Sequence, residues 1–259
     1  MTCPPVFEVR NVSFAYDNKQ TALENVDLTV RSGESLVILG ANGSGKSTLL
    51  KMLDGLYFPT RGEIIAFGEP LTEARLRDDA FNFAFRRRVG LVFQDTDVQL
   101  FCASVLDEVA FAPLQLGISH DEVRERVDQS LQALRIEKLR DRAPHRLSGG
   151  EKRRVALASL LSLNPDVWLL DEPTIGLDPR SQSWLVDFIL QLRGQNKTVI
   201  TATHDLAFAL KFATGIHVFD EGHHLAASGK PDEILANHEL LHSCNLSHFH
   251  MAKEASHCH

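Results

Sequence analysis

No uninterrupted apolar run in this chain of 259 residues approaches the roughly 18–20 needed to carry a helix across a bilayer. Met1-Thr2-Cys3-Pro4-Pro5 has neither the basic start nor the apolar stretch of a cleavable export signal. These two absences predict a soluble, intracellular protein that does any membrane work through a partner. An excess of basic charge is also missing: 27 Lys and Arg stand against 34 Asp and Glu, a formal net charge of −7. That balance argues against a broad nucleic-acid surface, and no nucleic-acid partner is expected. Cysteine is scarce. Cys3, Cys102, Cys244 and Cys258 are scattered without a CxxC pair, which fits a reducing cytosol. The length suits one composite domain or two small ones with a good core.

What the chain does contain is five short segments in a fixed order. The first, Gly40-Ala41-Asn42-Gly43-Ser44-Gly45-Lys46-Ser47-Thr48, fits the phosphate-loop pattern of glycine, four residues, then Gly-Lys-Ser. Before it, Ser35-Leu36-Val37-Ile38-Leu39 reads as a strand buried on both faces. After it, Lys46 to Leu53 reads as a helix that Gly55 can end. Three glycines let the backbone turn tightly and present consecutive N–H groups to an anion, and the helix start adds partial positive charge. On this reading Lys46 reaches the β- and γ-phosphates of a nucleotide, and Ser47 offers its hydroxyl to Mg²⁺.

Val167 to Leu170 is a second apolar strand, running into Asp171-Glu172. Successive strand residues point to opposite sides, which suits a division of labour. Asp171 would serve Mg²⁺, and Glu172 would polarise an attacking water as general base. Thr198 to Thr203 predicts a third strand, with His204 after it. If the strand ends lie side by side, His204 sits near the γ-phosphate and can hold the water–Glu172 arrangement. Gln94 follows the apolar run Val89-Gly90-Leu91-Val92-Phe93 and could touch both metal and water. In Leu147-Ser148-Gly149-Gly150-Glu151, Ser148 is placed as a helix N-cap with Glu151 at the reciprocal position. The N–H groups of Gly149 and Gly150 make a second anion site, most simply one serving a nucleotide held by another subunit. The basic run Lys152-Arg153-Arg154 reads as a solvated or phosphate-facing helix start. Ser119 to Glu122 reads as another capping box, opening a helix with Val123, Val127, Leu131 and Leu134 on one face.

With these motifs in place, the chain from about Phe7 to Leu235 resembles the nucleotide-binding subunit of ATP-binding-cassette (ABC) transporters. The resemblance implies an α/β fold: a P-loop NTPase (RecA-like) core, an antiparallel β subdomain and an inserted α-helical subdomain. It places one ATPase domain at about 6–235, with the core at 6–94 and 161–235 and the helical part at 95–160. A His/Cys-rich tail follows at 236–259. Carried over by position, the resemblance makes Tyr16 the aromatic that stacks on adenine, although Val12-Ser13-Phe14-Ala15-Tyr16 by itself reads equally as strand packing. It makes Gly40 to Thr48 the Walker A loop and Gln94 the Q-loop glutamine, with Ser47, Gln94 and Asp171 around Mg²⁺. Ser148, Gly149 and Gly150 become the signature, Glu172 the catalytic base, Asp178 the D-loop aspartate and His204 the switch histidine. It further implies that two such subunits, identical or closely paralogous, pair head to tail around two ATP molecules and drive a membrane partner by closing and reopening. The sequence departs from the commonest family pattern at Ile175, where a small residue is usual, and at Glu151, where glutamine is frequent.

A narrower resemblance, carried by residues 89–101 and by Val109-Ala110-Phe111-Ala112-Pro113-Leu114-Gln115-Leu116-Gly117, is to the ATPases of energy-coupling-factor importers, in particular the cobalt and nickel group. It implies a transmembrane coupling protein and a separate substrate-binding membrane protein as partners, with the ATPase at the cytoplasmic face of the cell membrane. Val98-Gln99-Leu100-Phe101 then reads either as a socket for a membrane partner's helix or as ordinary packing. Beyond Leu235 the chain holds His238, His242 and Cys244, and then His248, His250, His257, Cys258 and His259. Imidazole and thiolate suit nickel, cobalt, zinc and copper ions. These residues read either as a metal-binding tail or as a polar, disordered end. Two further functions stay open on the sequence: import of a vitamin or other solute, and a soluble ABC ATPase with no membrane partner.

Overall fold

The computed structural model describes residues 5–17 and 20–246. Among the described residues there are ten strands: β1 Pro5–Tyr16, β2 Gln20–Arg31, β3 Ser35–Gly40, β4 Arg61–Ala66, β5 Glu69–Pro70, β6 Val89–Val92, β7 Val167–Asp171, β8 Thr198–Thr203, β9 Gly215–Phe219 and β10 Leu225–Gly229. The α-helices are α1 Lys46–Leu53, α2 Glu73–Leu76, α3 Asp79–Arg86, α4 Val105–Gln115, α5 His120–Ala133, α6 Gly149–Leu163, α7 Pro179–Gly194, α8 Leu206–Ala209, α9 Pro231–Ala236 and α10 His238–Ser243.

The strands form two sheets. One is antiparallel, in the order β2-β1-β4-β5; the other has six strands, in the order β10-β9-β3-β8-β7-β6. In the larger sheet β9, β3, β8, β7 and β6 pair in parallel, while β10 pairs antiparallel with β9 at the edge. Every residue of β3, β6, β7 and β8 is buried, which explains why β3, β6 and β7 show no polar alternation.

The pleat sends alternate side chains to two separate cores. Leu36, Ile38, Val167 and Leu169 pack with α1 and the antiparallel sheet, through Phe7, Leu23, Leu49 and Leu53. Val37, Leu39, Trp168 and Leu170 pack instead with the helices between β6 and β7, through Val105, Val127, Val155 and Leu157, and with Leu185 and Ile189 of α7. Among the described residues no strand lies between β6 and β7.

Helix α5 starts where the sequence predicts, with Ser119 accepting from the Glu122 N–H, and buries Val123, Val127 and Leu131. Only half of the expected capping box is made, because the Glu122 carboxylate turns away to pair with Arg126 one turn on. The α6 box is complete: Ser148 Oγ accepts from the Glu151 N–H, and Glu151 accepts from the Ser148 N–H at 2.8 Å. That carboxyl is held below its usual range, first of all by the Ser148 N–H.

Parallel pairing fixes the site. Leu39 lies opposite Thr203, Ala202 opposite Asp171, and Leu170 opposite Val92. The carboxyl ends of β3, β8, β7 and β6 therefore stand in a row, where open α/β sheets bind their ligands.

Candidate active site

Between β3 and α1 the chain turns through Gly40 to Gly45. Gly45 has φ 103°, and a Cβ there would stand 2.1 Å from the Ala22 carbonyl oxygen, so both conformation and space demand glycine. Gly45 also precedes α1 with no side chain capping the helix, so the first N–H groups are left for an anion. Lys46 folds back over the loop and donates to the carbonyls of Gly40 and Ala41, both at 2.9 Å. Burial pushes its ammonium pKa down, and Glu172 and Asp171 nearby oppose that shift.

Ser47 donates to Asp171 Oδ1 at 2.8 Å, joining α1 to the end of β7. The Asp171 carboxyl is pushed upward, first by burial, with the Ser47 hydrogen bond working against it. The Ser47 hydroxyl and the Asp171 carboxylate in contact, with Ser47 and Gln94 both lining one cavity, form a hard oxygen donor set that fits Mg²⁺.

Glu172 is where the structure corrects the reasoning from strand alternation. The strand ends at Asp171, and Glu172 takes a left-handed backbone with φ 42°. This turn, rather than the pleat, separates the two carboxylates. A left-handed glutamate is a strained, over-determined position of the kind that collects at functional sites. Its N–H donates to the Ala202 carbonyl at 2.9 Å, and Thr203 Oγ1 donates to Oε2 at 3.2 Å. His204 Nδ1 lies 3.0 Å from both carboxylate oxygens, and Lys46 Nζ lies 3.8 Å from Oε1. The Glu172 side chain is 4% exposed while His204 is 47% exposed, so the imidazole bridges a buried carboxylate and solvent, and His204 is not among the described residues that line the cavity.

The cavity itself holds about 360 Å³ and is lined by Tyr16, Asn42, Gly43, Gly45 to Thr48, Gln94 and Glu172, together with Gln20, Thr21, Ala22, Ile175 and His223. Tyr16 meets Thr48 Oγ1 at 2.8 Å and packs edge-on against Phe14 and Tyr57. It is therefore both a packed strand residue and a wall of the cavity. Asp178 caps α7, accepting from the Ser181 N–H at 3.0 Å, which holds its carboxyl below the usual range.

The signature residues are built but stand apart. Ser148 and Gly149 are exposed at the start of α6, and none of Ser148, Gly149 and Gly150 is among the described residues that line the cavity.

The basic run that follows departs from the expectation of a solvated or phosphate-facing face. Arg153 is 4% exposed and donates to the carbonyls of Phe93 and Gln94, each at 2.6 Å. Lys152 pairs with Asp97, and the Arg154 guanidinium stacks 5.0 Å above Trp184. Arg153 thus ties the signature helix to the backbone of Gln94. Arg153→Ala is expected to lower unfolding stability by about 2–4 kcal/mol in urea titration, because it strands two carbonyls that accept from a charged donor. A midpoint unchanged from the parent would remove the latch.

A family profile described as "ABC transporter" matches residues 23–175, more than half of the chain. The chain belongs to the ABC transporter ATPases. A putative ABC transporter ATP-binding protein of Caldanaerobacter subterraneus is 52% identical over 241 residues, covering 93% of this chain and 98% of the relative. The nickel import ATP-binding protein NikO of Rhodobacter capsulatus is 49% identical over 245 residues, 93% of this chain and 96% of that one. An energy-coupling factor transporter ATP-binding protein of Carboxydothermus hydrogenoformans is 42% identical over 234 residues, covering 90% and 84%.

Among solved structures, cbiO1 of Clostridium perfringens, described as part of the transporter complex cbiONQ, superposes with a TM-score of 0.78 at 35% identity, covering 94% of this chain and 95% of that one. A dimeric ATP-binding cassette in a post-hydrolysis state with ADP and phosphate superposes with a TM-score of 0.79 at 30% identity, covering 87% and 98%. The fold is thus that of the ABC cassette, a P-loop NTPase core with an antiparallel sheet and helical parts, and its activity is ATP hydrolysis.

Sequence reading missed Gln20, Thr21, Ala22 and His223 as cavity residues and Arg153 and Thr203 as supports. No local signal marks them, because each acts through a strand or hairpin distant in sequence. His248, His250, His257, Cys258 and His259 lie outside the described residues. His238, His242 and Cys244 are described, at α10 and its end.

Proposed function

We propose that this ATPase works in a head-to-tail pair and powers the uptake of nickel or cobalt ions through membrane partners, at the cytoplasmic face of the cell membrane. The signature residues carry the paired arrangement: they form an exposed helix start with free space around Gly149, and they do not line the chain's own cavity. Each ATP is then held by the phosphate loop of one subunit and by Ser148, Gly149 and Gly150 of the other, an identical chain or a close paralogue. The dimeric cassette with ADP and phosphate that superposes on this chain supports the pairing.

Within that site the loop N–H groups and Lys46 hold the β- and γ-phosphates, and Tyr16 packs against the adenine. Ser47, Asp171 and Gln94 would hold Mg²⁺, which when bound would supply positive charge to the phosphates of the nucleotide. Glu172 orients a water in line with the γ-phosphorus and takes its proton as the P–O bond to ADP breaks. His204, against both Glu172 oxygens, keeps the carboxylate aimed. Asp178 rigidifies the start of α7 beside the pairing surface.

Import is supported by NikO, 49% identical over almost the whole of both chains, and by the likeness to cbiO1. An apolar patch near Gln94 supplies a docking place for the transmembrane coupling protein. Val98 is 71% exposed and Phe101 is 67% exposed, with Phe101 edge-on to Phe111. Leu100 turns inward to the core, and Gln99 bonds the backbone of Leu91 and Phe93, so the four-residue segment divides between surface and support.

The test is purification of the chain from detergent-solubilised membranes, identification of the membrane proteins that accompany it, and uptake of labelled Ni²⁺ and Co²⁺ by cells carrying the set. Uptake of one ion that disappears with Lys46→Ala is expected. Recovery from cytosol alone, or uptake of a vitamin in place of either ion, would sink the metal-import reading.

A further inference from the structure

A second cavity, of about 340 Å³, opens at the other end of the parallel strands. Its charged lining is Arg87, Arg88, Arg126 and Lys197, with Asp166 as the one carboxylate among the described lining residues. That sign is the reverse of the chain's own, whose formal net charge is −7. Chain order explains the gathering. Arg88 stands just before β6, Asp166 just before β7 and Lys197 just before β8, so parallel pairing sets all three at the amino ends of neighbouring strands. The same strands lead to Gln94, Asp171 and His204 at their carboxyl ends. At about 3.3 Å per residue, the two sets stand roughly 16–20 Å apart.

Contacts within the chain leave positive charge in excess here. Asp166 Oδ2 accepts from Arg88 Nε at 2.9 Å, and Glu122, from outside the lining, pairs with Arg126. Arg126 and Lys197 also donate to carbonyls near the end of α6, those of Ser162 at 3.2 Å and Asn164 at 3.1 Å. Such bonds cap a helix end, but they cancel no charge, and each cation has further N–H donors to offer. No carboxylate pairs with Arg87 or Lys197 among the described residues, and Arg87 lies over the Phe83 ring. Ile118 and Leu163 share the lining, and burial pushes the Lys197 ammonium pKa down, with Asp166 opposing the shift. A partly desolvated cation is costly until an anion meets it.

We propose that this cavity binds a small polyvalent oxyanion, a phosphate or a polycarboxylate, at a site separate from the nucleotide. Three guanidinium groups around one concave space suit the paired oxygens of such an anion, and Lys197 adds a compact point charge. A concave volume of this size favours a small molecule over a flat protein face.

The test is calorimetric titration of the full chain, and of its Lys46→Ala variant, with inorganic pyrophosphate and separately with citrate. Binding that survives Lys46→Ala is expected for at least one of the two anions, and which of them binds tells phosphate from carboxylate recognition. In the Lys46→Ala chain, Arg87→Gln and Lys197→Gln should each raise the Kd about five- to tenfold, as loss of a charge-assisted contact does. Glutamine suits both positions, because Arg87 is exposed and an amide at 197 can still donate to the Asn164 carbonyl. Thermal unfolding midpoints close to the parent's confirm that the fold is kept. Lys230→Gln, next to β10 at the opposite edge of the sheet, removes the same unit of charge and should shift the Kd by less than about twofold. Loss of all binding with Lys46→Ala would return the anion to the phosphate loop and overturn the second site. An equal loss with Lys230→Gln would reduce it to the chain's general field and overturn it as well.

Discussion

Glu172→Gln is expected to keep ATP binding and to lose about two to four orders of magnitude in turnover, the usual worth of a positioned base. The substitution is nearly isosteric. Glutamine can still accept from Thr203 Oγ1 and meet His204, so the left-handed turn at position 172 keeps its supports. What it loses is the capacity to take a proton from water. With ATP bound and uncleaved, two subunits should remain closed, and size-exclusion chromatography with ATP and Mg²⁺ should show a dimer that the parent forms only transiently. Steady-state phosphate release gives the first number and chromatography the second. Turnover at the parent rate would transfer the role of base to another group.

Ser148→Arg separates a shared site from a self-contained one. The arginine removes an N-cap, at a cost of about 1 kcal/mol, which a chain of this size tolerates. It also sets a long cation at the helix start where Gly149 has open space. ATP binding by the isolated chain should persist, because Ser148 does not line that chain's cavity. Turnover by the homodimer should fall by about two to three orders of magnitude, as expected when preorganised donors are taken from the transition state. A mixing experiment sharpens the point. Combining Ser148→Arg chains with Lys46→Ala chains creates mixed pairs in which one site carries both defects and the other carries none. Activity should therefore reappear on mixing two inactive preparations. Failure to regain any, together with loss of ATP binding by Ser148→Arg alone, would place the signature in the chain's own site.

Much of this site could be read along the chain, for a physical reason. Phosphate binding needs closely spaced backbone N–H groups, so Gly40 to Thr48 is a contiguous segment. The buried strands leading to Gly40 and Asp171 are contiguous, mostly apolar runs and the one leading to His204 is a short run of Thr, Val, Ile and Ala, matched by the structure at Ser35–Gly40, Val167–Asp171 and Thr198–Thr203. The α6 capping box was legible because all its atoms fall within four residues. Arg153 was not legible. A basic residue after a helix start reads as solvated until the chain returns Phe93 and Gln94 beneath it, 60 and 59 residues away. The separation of Asp171 from Glu172 was foreseen with the wrong cause, since a pleat can be inferred from strand pattern whereas a left-handed φ at a glutamate cannot.

The sequence by itself determined the phosphate loop, the two carboxylates, the histidine and the signature helix start, along with their order, because each is a local chemical unit a few residues long. Only the tertiary structure decided that β3, β8, β7 and β6 lie side by side, bringing His204 onto Glu172 and Ser47 onto Asp171. It alone decided that Tyr16, Thr21 and His223 share a wall. Pairing between strands is set by which apolar faces can be buried together, and that choice is made by the whole core rather than by any one segment.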